Sequence, residues 1–464
     1  MKLFLLATIL LLCVPPMNTT PCKTVLRVKK RAMEHACQTH RSNFEGHIRK
    51  MSFPDLEVIT NFLLGKVLSL TGIQIFDVKL PNIKVNLVPG VGVQVSLESS
   101  LHIKGKILFF ANVEVNVGSG ITADVSVTKT SGGLPLLKVS ACKCAMGRIQ
   151  INAFGKSLIP PMISAIQGHI HAIVSKQLCL TVSNVFVDAN MNLGLMCAKH
   201  LSKNFELQYK VPTPPVVTNE YVQMDMYAQY KVEEKVLELP TGAQDFTLPP
   251  PSPDASDSMV TMGISKDFFI SIFTALHTSG KFSQAIPTTT NSLINELKTS
   301  YLGSYIPEIN RKYHESLAVG IKISLSQTPL VTFQSSQLII QLTPSVELYA
   351  VSPKSGNEHL LTFSVGVTLA AKLDMNVDKL KISVSIQKEL SLSLASSSIG
   401  RCGCSSSSVS GYMQTVFEKA YLIHINEVLS VGVSLPTLPN MNLVKPVFEV
   451  KKDYAVMSCD VQYT

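Results

Sequence analysis

The chain has 464 residues, of which 46% are apolar and 16% charged, and it contains no tryptophan. That is ample material for packed cores and excludes an intrinsically disordered protein. The net charge of +9 is unevenly placed: residues 23–245 carry 24 basic and 16 acidic side chains, whereas residues 246–464 carry 16 of each. The asymmetry points to an anionic partner for the first half alone, against the plainer reading of general solubility.

Met1-Lys2, the apolar run Leu3 to Val14 and Pro15-Pro16 have the pattern of a secretory signal peptide, assigned to residues 1–20. No later stretch reaches about 18 uninterrupted apolar residues. The expectation is a secreted, extracellular protein. The one Asn-x-Ser/Thr sequon, Asn18-Thr19-Thr20, falls in the cleavage zone. Export permits disulfides. Beyond Cys13, nine cysteines remain (Cys22, Cys37, Cys142, Cys144, Cys179, Cys197, Cys402, Cys404 and Cys459), so at least one thiol is free or pairs between chains.

Thr24 to Met51 reads as a long helix carrying Arg27, Lys29, Lys30 and Arg31. These four are the candidates for binding an anionic surface. With sparse aromatics and no nucleic-acid motif, a membrane headgroup or lipopolysaccharide suits them better than DNA. The period then changes to two. Val91, Val93, Val95 and Leu97 alternate with polar positions, as do Val113, Val115 and Val117, then Ala123, Val125 and Val127. Such runs predict antiparallel strands with one face buried, separated by turns at Pro89-Gly90 and Gly118-Ser119-Gly120. A second helix is predicted over Ser157 to Leu178, where Ile159, Met162, Ile163, Ile166, Ile170, Ile173 and Val174 form one apolar face. Spacing alone makes that face a core face.

Leu248-Pro249-Pro250-Pro251-Ser252-Pro253 can join neither a helix nor a central strand, and reads as a semi-rigid spacer. It divides the mature chain into domains at residues 21–247 and 257–464, with a linker at 248–256. The second half repeats the plan of the first. A helix is predicted over Ser265 to Thr278, alternating strands around 319–325, 361–369, 380–386 and 390–394, and a closing helix over Met413 to Leu429.

No catalytic signature is present: no His-Glu-x-x-His, Gly-x-Ser-x-Gly, phosphate-binding glycine loop or Cys-x-x-Cys. His169 and His171 sit two apart on a helix and point to different faces, unlike a zinc pair. The expectation is a protein that is no enzyme and takes no cofactor or metal. Cys142-x-Cys144 and Cys402-x-Cys404 read as disulfide partners or leftover thiols.

Several segments are similar to a known family. Ile75-Phe76-Asp77-Val78-Lys79-Leu80-Pro81, Leu87-Val88-Pro89-Gly90-Val91-Gly92-Val93 and Ile103-Lys104-Gly105-Lys106 resemble first-barrel strands of the bactericidal/permeability-increasing (BPI), lipopolysaccharide-binding and PLUNC proteins. Ser140-Ala141-Cys142 with Leu178-Cys179-Leu180, Met262-Gly263-Ile264-Ser265 with Phe268-Phe269, Val416-Phe417-Glu418-Lys419 and Leu435-Pro436-Thr437 continue the likeness along the whole mature chain. The B branch of the BPI fold-containing proteins resembles it most.

The resemblance implies an α+β boomerang: two pseudo-symmetric, twisted antiparallel barrels, each wrapping a long helix and joined by a central sheet. It implies an apolar pocket in each half for phospholipid acyl chains. Ile159, Ile163, Ile166 and Ile170 are the candidate pocket residues of the first half, and Phe269, Phe273, Phe417 and Tyr421 those of the second. It also implies lipopolysaccharide or anionic-membrane binding by the basic half, plausible in innate defence, and no catalysis. The match favours a Cys142–Cys179 disulfide, with Cys144 the other candidate partner of Cys179. The reading from a different class is an extracellular interaction protein that keeps the fold with filled pockets.

Overall fold

The computed structural model describes residues 22–463 apart from 60–66, 108–110, 155–157, 203–204, 234, 238–245, 252–256, 335, 354–355, 401–405 and 439–440. The leader with its sequon, Ser157, the second part of the proline spacer, Cys402 and Cys404 lie outside the described residues.

The chain is α+β, with two curled antiparallel sheets, each packed on helices, joined through a third sheet. The first sheet runs in the order Leu56–Ile59, Val67–Lys79, Gly92–Ile107, Ala111–Lys129, Pro135–Phe154, with Ile83–Val88 also paired to Gly92–Ile107. Its inward positions are the alternating apolar ones, Val113, Val115, Val117, Ile121, Ala123 and Val125 among them, all buried. The helix Pro160–Cys197 lies along this face with Met162, Ile166, Ile170, Val174, Leu178 and Val182 buried. Removing such side chains from water supplies the main packing energy, about 1.5–3 kcal/mol for each fully buried one.

The central sheet is assembled from both halves. Its order is Met441–Lys451, Tyr454–Tyr463, Val260–Ser265, Cys22–Lys29, Tyr221–Val232, Phe205–Lys210, Ala198–Ser202. Cys22–Lys29 therefore pairs with a strand of its own half on one side and with the strand that follows the spacer on the other. In the second half the order is Gln284–Ile286, Ala318–Ser324, Ser345–Ser352, Gly356–Asn376, Gln337–Leu342, Leu330–Gln334. The helix Lys266–Thr278 and the helical run from Ser406 to Ser430 pack into its core.

One device recurs in both halves. Asn190, on the long helix, accepts a bond from the Leu137 N–H (2.7 Å) and donates to the Leu137 carbonyl (2.8 Å). Asn426 does the same to Val384, at 2.8 and 3.0 Å. Each helix thus satisfies backbone groups of a strand it covers, which would otherwise be costly to bury.

Three expectations are corrected. Thr24 to Met51 is a strand followed by two helices, Lys30–Thr39 and Arg41–Arg49. Thr24, Val25 and Val28 are β-branched, which a strand accommodates, and the segment is paired on both sides in the central sheet. Gly118-Ser119-Gly120 is no turn: Ala111–Lys129 runs through it as one strand. The register shifts there, and a side chain at Gly147 would meet the Gly118 carbonyl at 3.1 Å, so glycine serves close strand approach and curling. The helix expected to stop at Leu178 continues to Cys197.

The spacer is held from beneath. Phe246 and Leu248 cover Val25 on the outer face of the central sheet. Gly263 lies under them; a Cβ there would come within 2.8 Å of both side chains. Arg27 donates through Nη1 to the Pro249 carbonyl (2.5 Å), through Nη2 to the Leu248 carbonyl (2.6 Å) and through Nε to Gln223 Oε1 (2.8 Å). Arg27→Ala leaves two strap carbonyls without these charged donors and is expected to lower stability by about 2–4 kcal/mol. Denaturant unfolding checks this. A loss below about 0.5 kcal/mol, the range of neutral surface changes, would mean that the apolar contacts alone hold the strap.

Candidate functional site

A cavity of about 490 Å³ opens in the first half. Its wall has three sources. The sheet contributes Val85, Val95, Leu97, Val125 and Leu137; the second part of the long helix contributes Val182, Val185, Phe186, Ala189 and Leu193; the short helices contribute Ala32, Met33, Ala36 and Phe44. Val222 and Met224 of the central sheet, together with Leu438 and Tyr463 from the far end of the chain, complete the lining. The volume lies within the range of small-molecule pockets, about 300–1,000 Å³.

The polar lining residues are those nearest solvent. His40, Asn43 and His47 on one side and Asp188 and Asn192 on the other are exposed, while Ala32, Val85, Val95, Leu97, Val125 and Val182 are buried. His47 Nε2 stands 3.6 Å from Asp188 Oδ2, bridging the helix Arg41–Arg49 and the long helix beside the opening. The arrangement is an apolar interior with a polar rim. It offers no nucleophile paired with a base. Among the described residues no group of three or more His, Cys, Asp or Glu is placed to hold a metal.

Cys37 and Tyr463 also line the wall. Burial, with a smaller contribution from Glu34, pushes the Cys37 thiol up to about 11. Burial, assisted by Cys37, pushes the Tyr463 hydroxyl up to about 12. The Tyr463 ring rests against His35 and His40, at centroid distances of 5.9 and 5.3 Å. A raised thiol pKa means that folding favours the neutral form. The stability that neutral Cys37 contributes is fully present below pH 9 and is lost as pH rises through about 11. The thermal midpoint of the wild type is expected to fall more steeply over that interval than that of Cys37→Ala. Parallel profiles would contradict this environment for the thiol.

The candidate residues are placed as follows. Ile166 and Ile170 are fully buried in the core cluster, Ile159 and Ile163 are half-buried, and none of the four lines this cavity. This cavity therefore draws on other turns of the helix than the candidate residues. Helical spacing identifies a buried face and says nothing of whether that face meets packed side chains or space. The lining belongs to the later turns of the same helix, and its signal was legible: Val182, Val185, Phe186, Ala189 and Leu193 continue the i, i+3, i+4, i+7 pattern.

In the second half Phe269, Phe273, Phe417 and Tyr421 are at most 1% exposed and stack on other rings. Phe269 meets Phe333 at 5.6 Å, Phe273 lies parallel to Phe282 at 5.9 Å, and Phe417 meets Tyr421 edge-on at 5.1 Å. Tyr421 donates to the Phe282 carbonyl (2.9 Å). These four are buried core residues, and none lines the cavity just described. The basic quartet also divides. Arg27 is 5% exposed and engaged by the spacer, so it is unavailable to an outside anion. Strand alternation puts it on the face that the spacer covers. Lys29 is half-buried. Lys30 sits 3.7 Å from Glu34, and Arg31, more than half exposed, sits 3.0 Å from Asp257. Exposed pairs of this kind are worth about 0–1 kcal/mol. Cys142 and Cys179 are joined by a disulfide, and Cys144, half-buried, is free.

Residues 199–463 match the LBP / BPI / CETP family, C-terminal domain, and residues 34–189 match its N-terminal domain. The chain belongs to this family. It is similar to BPI fold-containing family B member 2 of Homo sapiens, 28% identical over 463 residues covering 99% of this chain and 98% of that one. The Mus musculus protein of the same name is 29% identical, covering 95% and 94%. In three dimensions the chain resembles the crystal structure of lipopolysaccharide binding protein, with a TM-score of 0.62 at 17% identity, covering 96% of this chain and 99% of that one. That likeness speaks for the fold.

Proposed function

We propose that the chain is a secreted, non-catalytic lipid-binding protein whose N-terminal cavity takes an acyl chain of a phospholipid or lipopolysaccharide, in the setting of innate defence. The observation that carries this is the 490 Å³ apolar cavity with its polar rim. Burying an acyl chain of about 16 carbons from water yields on the order of 13 kcal/mol, at about 0.8 kcal/mol per methylene. Most of that is returned when the lipid comes from a membrane, since the chain leaves one apolar phase for another.

Family membership supports lipid or lipopolysaccharide binding in general. In this reading residues 1–20 direct export, 21–247 and 257–464 are the two domains, and 248–256 links them. Exposed Arg31 and half-buried Lys30 add attraction to an anionic surface, worth about 1 kcal/mol each before screening. The ring contacts at the second-half candidate positions favour the alternative of filled pockets for that half.

Titration of lipid-stripped protein with a phospholipid bearing a fluorescent acyl chain tests the proposal. Saturable binding that an unlabelled phospholipid displaces is expected. Absence of saturable binding would overturn it.

A further inference from the structure

The long helix has a second apolar face, and that one is bare. Val187, Met191 and Leu195 are 58%, 60% and 61% exposed, and Leu180 is 47% exposed on the same side. At 100° per residue they form one stripe, with Asn184 its single polar member. From Gln177 to Ala198 the helix and the residue after it carry one charged side chain, Asp188. A helix this apolar is ordinarily enclosed, yet only 28% of its most apolar stretch is buried.

The stripe runs beside the cavity opening. Asp188 and Asn192, which line it, lie next to Val187 and Met191 around the helix. The surface a lipid must cross to enter the cavity, with Asp188 and Asn192 at its rim, therefore borders an exposed apolar strip. From this geometry we infer that the strip is the protein's contact with a lipid bilayer, inserting its side chains among the headgroups while an acyl chain passes into the cavity. The inference rests on the cavity's being a lipid site. A second copy of the chain is a poorer occupant. Each such side chain covers on the order of 100 Å², so four of them, about half exposed, fall well short of the about 800 Å² per partner of a stable interface. A bilayer sets no such threshold and needs no shape complementarity.

The full-length protein carrying Val187→Asn, Met191→Gln and Leu195→Gln together tests this. All three positions are exposed, so the fold is expected to survive, which the thermal midpoint verifies. The probes are phosphatidylcholine vesicles containing a trace of fluorescent phospholipid, and a short-chain fluorescent lipid monomeric in water. The variant is expected to take up lipid from vesicles on the order of a hundredfold more slowly than wild type, at both low and high salt, while binding the monomeric probe unchanged. Vesicle uptake at the wild-type rate would overturn the inference. So would a wild-type dimer that the substitutions render monomeric, since the strip would then be a subunit interface. If wild type fails to bind the monomeric probe, the lipid-site reading fails by itself. Loss of vesicle association in the variant would still uphold the strip as the membrane contact.

Discussion

Replacing Cys142 and Cys179 together by serine is expected to lower the unfolding free energy by about 3–4 kcal/mol, the chain-entropy value for the loop they close. They lie 37 residues apart and tie the last strand of the first sheet to the middle of the long helix. Without the bond, the helix is held to that strand by packing, by Gln167 donating to the Ile149 carbonyl in its early turns and by Asn190 at its later turns. Cys144 is no substitute. Burial raises its pKa, with the nearby Ser175 and Ser119 hydroxyls opposing, and its sulfur lies 3.8 Å from that of Met146. Peptide mapping without reductant is expected to recover Cys142 with Cys179. Guanidinium unfolding of the double variant measures the loss, and an unchanged midpoint would contradict a stabilising role.

The fold was legible wherever one period dominated. Val93 to Leu97 and Val113 to Val117 alternate and are strands, with Val91 left in the preceding turn; Lys266–Thr278 is a helix within one residue of its expected limits. Legibility failed where tertiary pairing decided. Thr24 to Val28 reads either way in isolation, and becomes a strand because Tyr221–Val232 and Val260–Ser265, about 200 residues away, flank it. The spacer's existence was clear from its prolines, but its seat on Arg27 was not, because nothing local marks an arginine as a clamp. The family resemblance suggested a cavity against the long helix. Placing it needed knowledge of where the sheet curls away from that helix, which periodicity does not contain. Ile166 and Val182 obey the same spacing and are both buried, yet only Val182 lines this cavity.

That difference yields the second large effect. Ala189 lies on the helix face toward the cavity and carries the smallest side chain of its wall on the long helix. In Ala189→Phe the added ring occupies space that lipid would fill. Displacing even four methylenes, at about 0.8 kcal/mol each, lowers affinity from water by at least about a hundredfold. The fold has room for the ring, so stability measured without lipid is expected to stay near wild type. Ile166→Phe is the converse. Its site is fully buried and packed, so overpacking is expected to cost about 1–3 kcal/mol of stability while lipid binding persists at temperatures where the variant is folded.

The most direct measurement of the central claim, that this cavity holds lipid, is extraction and mass-spectrometric quantification of lipid retained by wild type and Ala189→Phe after identical loading. Lipid is expected on the wild type and nearly none on Ala189→Phe, with matched thermal midpoints in the stripped state. Equal lipid on both proteins, or none on the wild type, would contradict the account.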